Sequence, residues 1–152
     1  LYLEFTLHGD NRDIVLMGVD PRDPNGDFDL SVQVPRRDVL TIFDEENFAE
    51  LWDEGFAELA VVNAMPKYDG WLAEHYTQTT ADGVGYYFER DARSEKLSTR
   101  VDDDSEEFHY HEAEADNDSF TLTVEVWGDG ETDVSLDVSC PGDTIETMWP
   151  GQ

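Results

Sequence analysis

Apolar and polar residues alternate one for one through long parts of this chain, and that period restricts the fold before any other feature is weighed. Successive side chains of a strand point to opposite faces, so a period of two builds a sheet with one dry face and one wet face. Residues 1–7, LYLEFTL, set Leu1, Leu3, Phe5 and Leu7 against Tyr2, Glu4 and Thr6. Residues 13–19, DIVLMGV, form a second strand with a more continuous apolar run, and residues 28–34, FDLSVQV, alternate again up to Pro35. Further along, VGYYFER, KLSTRV, EFHYHEAEA, SFTLTVEVW and DVSLDVS read as five more strands.

The middle of the chain departs from this period. VLTIF, residues 39–43, suits a short strand or the lead-in to a helix equally well. Asp44 has the character of an N-cap, with Glu45 and Glu46 in the first turn, where the helix dipole favours negative charge. From there Phe48, Leu51, Trp52, Phe56, Leu59 and Ala60 recur at helical spacing. The spacing predicts a helix running to about Met65, where Pro66 stops it. A shorter helix is expected over GWLAEHYTQ, capped by Asp69. Runs of strands around a helical segment, joined by short links, predict an α+β fold. We expect one domain over residues 1–152: a curved antiparallel sheet of about six to eight strands, with one long and one short helix packed on one face.

Turn chemistry then sets the register of the last three strands. If 116–119, DNDS, is a four-residue loop, Ala113 faces Leu122, His111 faces Val124 and His109 faces Val126. Gly128-Asp129-Gly130 suits a three-residue turn with glycine in the left-handed position, which sets Val124 opposite Val134 and Leu122 opposite Leu136. His109 and His111 then end the apolar face, while Glu112, Glu114, Thr121, Thr123, Glu125 and Trp127 share the other. A slip of one residue would reverse both faces.

Two of the four histidines on one strand face raise the question of a divalent metal. His109 and His111 are the candidate ligands, with Glu107 or His75 completing the set. A catalytic zinc site needs three protein ligands and partners that orient each imidazole. His-x-His on a strand is similar to the pairing used by cupin-type metal sites. The likeness ends there, since Glu114 falls too close to His111 and PGDTIETMW, residues 141–149, supplies no third histidine. Asp23, Asn25, Asp27 and Asp29 alternate as in a calcium loop, but Phe28 and Val34 occupy the places where an EF-hand needs Gly and Glu. No phosphate loop and no nucleophile elbow is present.

Composition bounds what remains. Asp and Glu number 37 against 9 Lys and Arg, a net charge of −28. Self-repulsion of this size opposes folding at ordinary ionic strength and is screened in molar salt. Only Lys67 and Lys96 are lysines. An acid excess spread along the whole chain, with lysine scarce, resembles the cytosolic proteins of salt-accumulating halophilic archaea. Direct nucleic-acid binding needs a basic patch, for which only Arg36–Arg37 and Arg90, Arg93 and Arg100 are available. The single cysteine, Cys140, excludes an internal disulfide and fits a reducing, cytoplasmic setting. No run approaches the ~20 apolar residues of a membrane helix. Opening on Leu1 rather than Met is what a piece of a longer chain would show.

Three function classes follow. The first is a non-catalytic binding or accessory module for a protein or small-molecule partner, using the concave sheet face or a sheet edge. The second is a metal-dependent enzyme or metal-binding protein centred on His109 and His111. The third is an acidic mimic of nucleic acid, or an inhibitor of a basic partner, which would need its carboxylates drawn into a stripe.

Overall fold

Alternation does produce strands. The computed structural model describes residues 3–9, 13–19, 22–23, 26–88, 105–117 and 119–142. In chain order these are β1 (Leu3–His8), β2 (Asp13–Val19), β3 (Phe28–Val34), α1 (Arg36–Ile42), α2 (Glu45–Ala49) running on as a 3-10 turn (Glu50–Trp52), and β4 (Glu58–Ala60). A 3-10 turn (Pro66–Tyr68) follows, then β5 (His75–Phe88), β6 (Ser105–Ala115), β7 (Phe120–Trp127) and β8 (Thr132–Cys140). All eight strands form one antiparallel sheet in the order β1-β2-β3-β8-β7-β6-β5-β4. The fold is α+β. The strand expected at 96–101 and the docking of Trp149 lie outside the described residues. Among the described residues no helix is long and apolar enough to cross a membrane.

The topology follows from where pairing is interrupted. β1 to β3 are joined in sequence by antiparallel pairing. Pro35 ends β3 and opens α1, so the chain leaves the sheet and crosses one face through α1 and α2. It re-enters at the far edge as β4, and β5 to β8 meander back until β8 pairs with β3. Val39, Ile42, Phe43, Phe48 and Leu51 from the crossing segment pack on Val32, Val34, Ala113, Ala115, Leu122, Val124 and Leu136 of the sheet. Each such burial is worth roughly 1.5–3 kcal/mol. Asp38, buried at the start of α1, accepts hydrogen bonds from the Tyr68 hydroxyl and, at 3.2 Å, from Lys67 Nζ. Those bonds, the tyrosine's first, hold its carboxyl below the usual range.

The crossing segment is shorter in helix than its spacing predicts. Asp44 caps α2 as expected, its Oδ1 accepting from the Asn47 amide at 3.1 Å. The helix stops at Trp52 rather than near Met65. Gly55 takes a left-handed φ of 96°, and Leu59, fully buried, belongs to β4. What overrides the period is a strand partner: Glu58, Leu59 and Ala60 pair with Thr77, Tyr76 and His75. The buried Gln78 amide secures the turn, accepting from the Ala57 amide and donating to the Leu51 carbonyl, both at 3.0 Å. For the same reason the helix expected over GWLAEHYTQ is replaced by irregular backbone at 70–74 and the first part of β5.

The sheet curls away from its helices. Asp29 of β3 and Phe108, Tyr110, Glu112 and Glu114 of β6, three strand spacings apart on the face opposite the helices, line one cavity with side chains of β7 and β8 between them. The face opposite the helices is therefore the concave one.

Candidate functional site

The register expected for the last three strands is the one observed. His109 pairs with Val126, His111 with Val124 and Ala113 with Leu122. Val124 pairs with Val134 and Leu122 with Leu136. The Gly128–Gly130 turn places Gly130 at φ 86°. Both imidazoles lie on the helix-covered side, His111 buried beneath Trp52 at 5.2 Å between ring centroids and His109 half-exposed beyond it.

An irregularity of β5 organises this pair. The β5–β6 register shifts between Gln78 and Thr80 and again between Thr80 and Gly83. At the second shift Asp82 adopts a φ of 52°, a conformation open to few residues other than glycine, asparagine and aspartate. Its amide donates to His111 Nδ1 at 3.2 Å, and its Oδ1 lies 2.8 Å from His109 Nδ1. His109 Nε2 is 3.3 Å from Glu107 Oε1. The hydrogen bond to Asp82 is the main reason the His109 imidazole is pushed above its ordinary range; burial pushes that of His111 below it. Glu107 thus joins His109, but His75 does not: it starts β5, about 20 Å away along the strands. Among the described residues no three His, Cys, Asp or Glu side chains come together in a way that could hold a metal ion. The pair is a hydrogen-bonded unit that pins the β5 bulge to β6.

The opposite, concave face holds the denser chemistry. Asp29 of β3, Asp137 of β8, Thr121, Thr123 and Glu125 of β7, and Phe108, Tyr110, Glu112 and Glu114 of β6 line a cavity of about 360 Å³. Asp137 is only 8% exposed. Its Oδ2 accepts from Thr123 Oγ1 at 2.7 Å, its Oδ1 is closed off from solvent, and no cationic side chain among the described residues pairs with it. Burial first, and then the charges of Asp29 and Glu112, push its carboxyl up to about 6, against the lowering effect of Ser31 and Thr123. Glu125 is pushed up to about 7, again by burial first and then by Glu4, Asp133 and Asp137. Burial also raises Asp29, Glu112 and Glu4. Among the described residues no basic side chain lines this cavity.

Aromatic rings run alongside these acids. Gly83 and Gly85 of β5 face Tyr110 and Phe108 of β6. A Cβ on either glycine would fall 2.6 Å from the Tyr110 ring or 2.5 Å from the Phe108 ring, so the rings lie directly over bare backbone. Ring centroids then follow at 6.1 Å from Tyr110 to Phe108, 4.8 Å from Phe108 to Trp127 and 6.2 Å from Trp127 to Tyr87. Trp127 Nε1 donates to Asp133 Oδ2 at 3.0 Å. Around the far end of this row, Tyr87, Glu106, Trp127, Asp129, Glu131 and Asp133 line a second cavity of about 230 Å³.

Part of this face is legible in the sequence, since Glu112, Glu114, Thr121, Thr123, Glu125 and Trp127 share one side of the predicted hairpin. Asp29 and Asp137 were not placed there, because only the β3–β8 pairing brings them in. A surface of carboxylates and aromatic faces offers acceptors and π-density without a donated charge, which is the chemistry that receives a cation. Compared with known proteins, the chain matches no family model, no curated protein and no solved structure.

Proposed function

We propose that this chain is a non-catalytic binding module whose contact surface is the concave face of the sheet and whose ligand is positively charged. One observation carries the reading: Asp137 is more than nine-tenths buried with only hydroxyl donors and no cationic partner among the described residues, beside a cavity lined by four further carboxylates. Burying a charge without a partner is expensive, and a bound cation relieves that cost directly.

The test uses a small organic cation as probe. Butylammonium chloride replaces sodium chloride mole for mole, and amide shifts are followed by NMR. Changes should centre on Phe108, Tyr110, Thr121, Thr123 and Glu125 and vanish in Asp137→Asn/Glu125→Gln. Changes spread evenly, or centred on α1 and α2, would remove the reading.

The remaining acid excess is read as adaptation to a salt-rich cytoplasm. Supporting this, exposed carboxylates also populate the helical layer and the loops, at Glu45, Glu46, Glu50, Asp53, Glu54, Glu58 and Asp116. They cover the surface on both sides of the sheet rather than forming the stripe that imitation of nucleic acid calls for.

A further inference from the structure

We propose that the concave face takes a linear aliphatic polyamine, with ammonium groups on its two carboxylate clusters and the methylene chain along the aromatic row between them. The proposal rests on the cation-binding reading above and names the ligand class for that site. Three features select it. First, the acids fall into two groups rather than one. Asp137 and Glu125 line the larger cavity, and Asp133, Glu131 and Glu106 the smaller. Asp137 and Asp133 are four residues apart on β8, about 13 Å, a distance comparable to the length of an extended triamine.

Second, what joins the groups is apolar. Phe108 lines one cavity and Trp127 the other, and their rings are 4.8 Å apart. Methylenes flanked by ammonium groups pack well on such faces, and each ammonium gains from the ring quadrupole as well as from the carboxylates. Third, the Asp137 carboxyl, buried beside the larger cavity, takes hydrogen bonds only from hydroxyls and has no cationic partner among the described residues, so its charge is left for a ligand to neutralise. An ammonium supplies three donors on a point charge. A lone metal ion is a poorer match, because no three acidic or imidazole side chains of the described residues converge on one point.

Calorimetric titration at one fixed salt concentration, in which the chain is folded, separates the possibilities. The probes are butylammonium, putrescine, spermidine and magnesium chloride. Affinity should rise with chain length, spermidine exceeding butylammonium by about tenfold or more. Asp137→Asn should weaken every amine. Trp127→Leu should weaken spermidine while sparing butylammonium. Glu106→Gln/Glu131→Gln, on exposed side chains, should do the same in a protein whose fold is not at risk. Butylammonium binding on the concave face with no gain from chain length, or magnesium binding as tightly as spermidine, overturns the polyamine while leaving a cation-binding module. Absence of binding by any of the four overturns both.

Discussion

Asp137 and Glu125 hold their protons more tightly in the folded chain than they would in an unfolded one, and this fixes the sign of a pH effect. A carboxyl whose folded pKa is raised binds more protons in the native state, so stability is greatest at low pH and falls as pH rises toward that pKa. The window runs from the ordinary carboxylate range near 4 up to about 6 for Asp137 and about 7 for Glu125. For Asp137 the loss across it is on the order of 3 kcal/mol. Glu125 is less buried, so solvent screening makes its share smaller. His109, also raised, acts in the same direction, while His111, lowered, opposes it. Denaturant unfolding at constant salt should show the chain more stable at pH 5 than at pH 8. Asp137→Asn should raise stability at pH 8 by about 1–2 kcal/mol and narrow the difference. A wild-type stability that climbs from pH 5 to pH 8 would contradict the burial argument for this carboxyl. A residue that weakens the fold yet lines a cavity is the pattern expected where binding and stability compete.

The pairing of β5 with β6 makes a sharper demand than any single side chain. Phe108 is held on both sides, by Trp127 and Tyr110, so it cannot simply swing away from a methyl group placed on Gly85. Gly85→Ala should therefore destabilise the chain by roughly 1–3 kcal/mol, as overpacking does. In a Phe108→Ala background most of that effect should disappear, and a double-mutant cycle measures the coupling. Gly128→Ala is the control, since nothing lies within 4 Å of its added Cβ; equal effects at the two glycines would mean the ring contact carries no energy. None of this overlap was legible in the sequence, although the hairpins around it were. Loop lengths at 116–119 and 128–130 sufficed for the β6–β7–β8 register, because a four-residue loop and a glycine turn leave little choice between side chains in and side chains out. The bulge at Asp82 could not be read, since an aspartate in a polar loop and one at a positive φ look alike on paper. The helix ends are not legible in the sequence because Phe56, Leu59 and Ala60 satisfy a helical period and a strand partner equally well, and only β5, distant in sequence, decides between them. Asp29 and Asp137 were hidden for the same reason: their cavity exists only once β8 returns to pair with β3.

At the scale of the whole molecule the net electrostatic force is repulsion. A net charge of −28 on 152 residues opposes compaction wherever like charges lie within a screening length, and that length falls from about 10 Å in 0.1 M salt to about 3 Å in 1 M. The unfolding midpoint should therefore climb as sodium chloride is raised and fall away below ~1 M. Charge removal on the helical layer gives an internal check: Glu50→Gln/Asp53→Asn/Glu54→Gln/Glu58→Gln changes only exposed side chains and should flatten that salt dependence without touching the concave face. Full stability of the wild type in dilute buffer, or an unaltered salt slope in the fourfold variant, would show that repulsion is not what limits the fold. The same physics ties the surface to the cavity. Salt weakens repulsion everywhere, whereas a cation seated against Asp137 and Glu125 weakens it at the one place where burial keeps mobile ions from doing so. Spermidine should accordingly raise the midpoint most in low salt and progressively less as salt increases, with a residual gain in concentrated salt that Asp137→Asn abolishes. That residue of stabilisation, left when bulk screening is complete, is what distinguishes a ligand held in the cavity from a counterion attracted to an acidic surface.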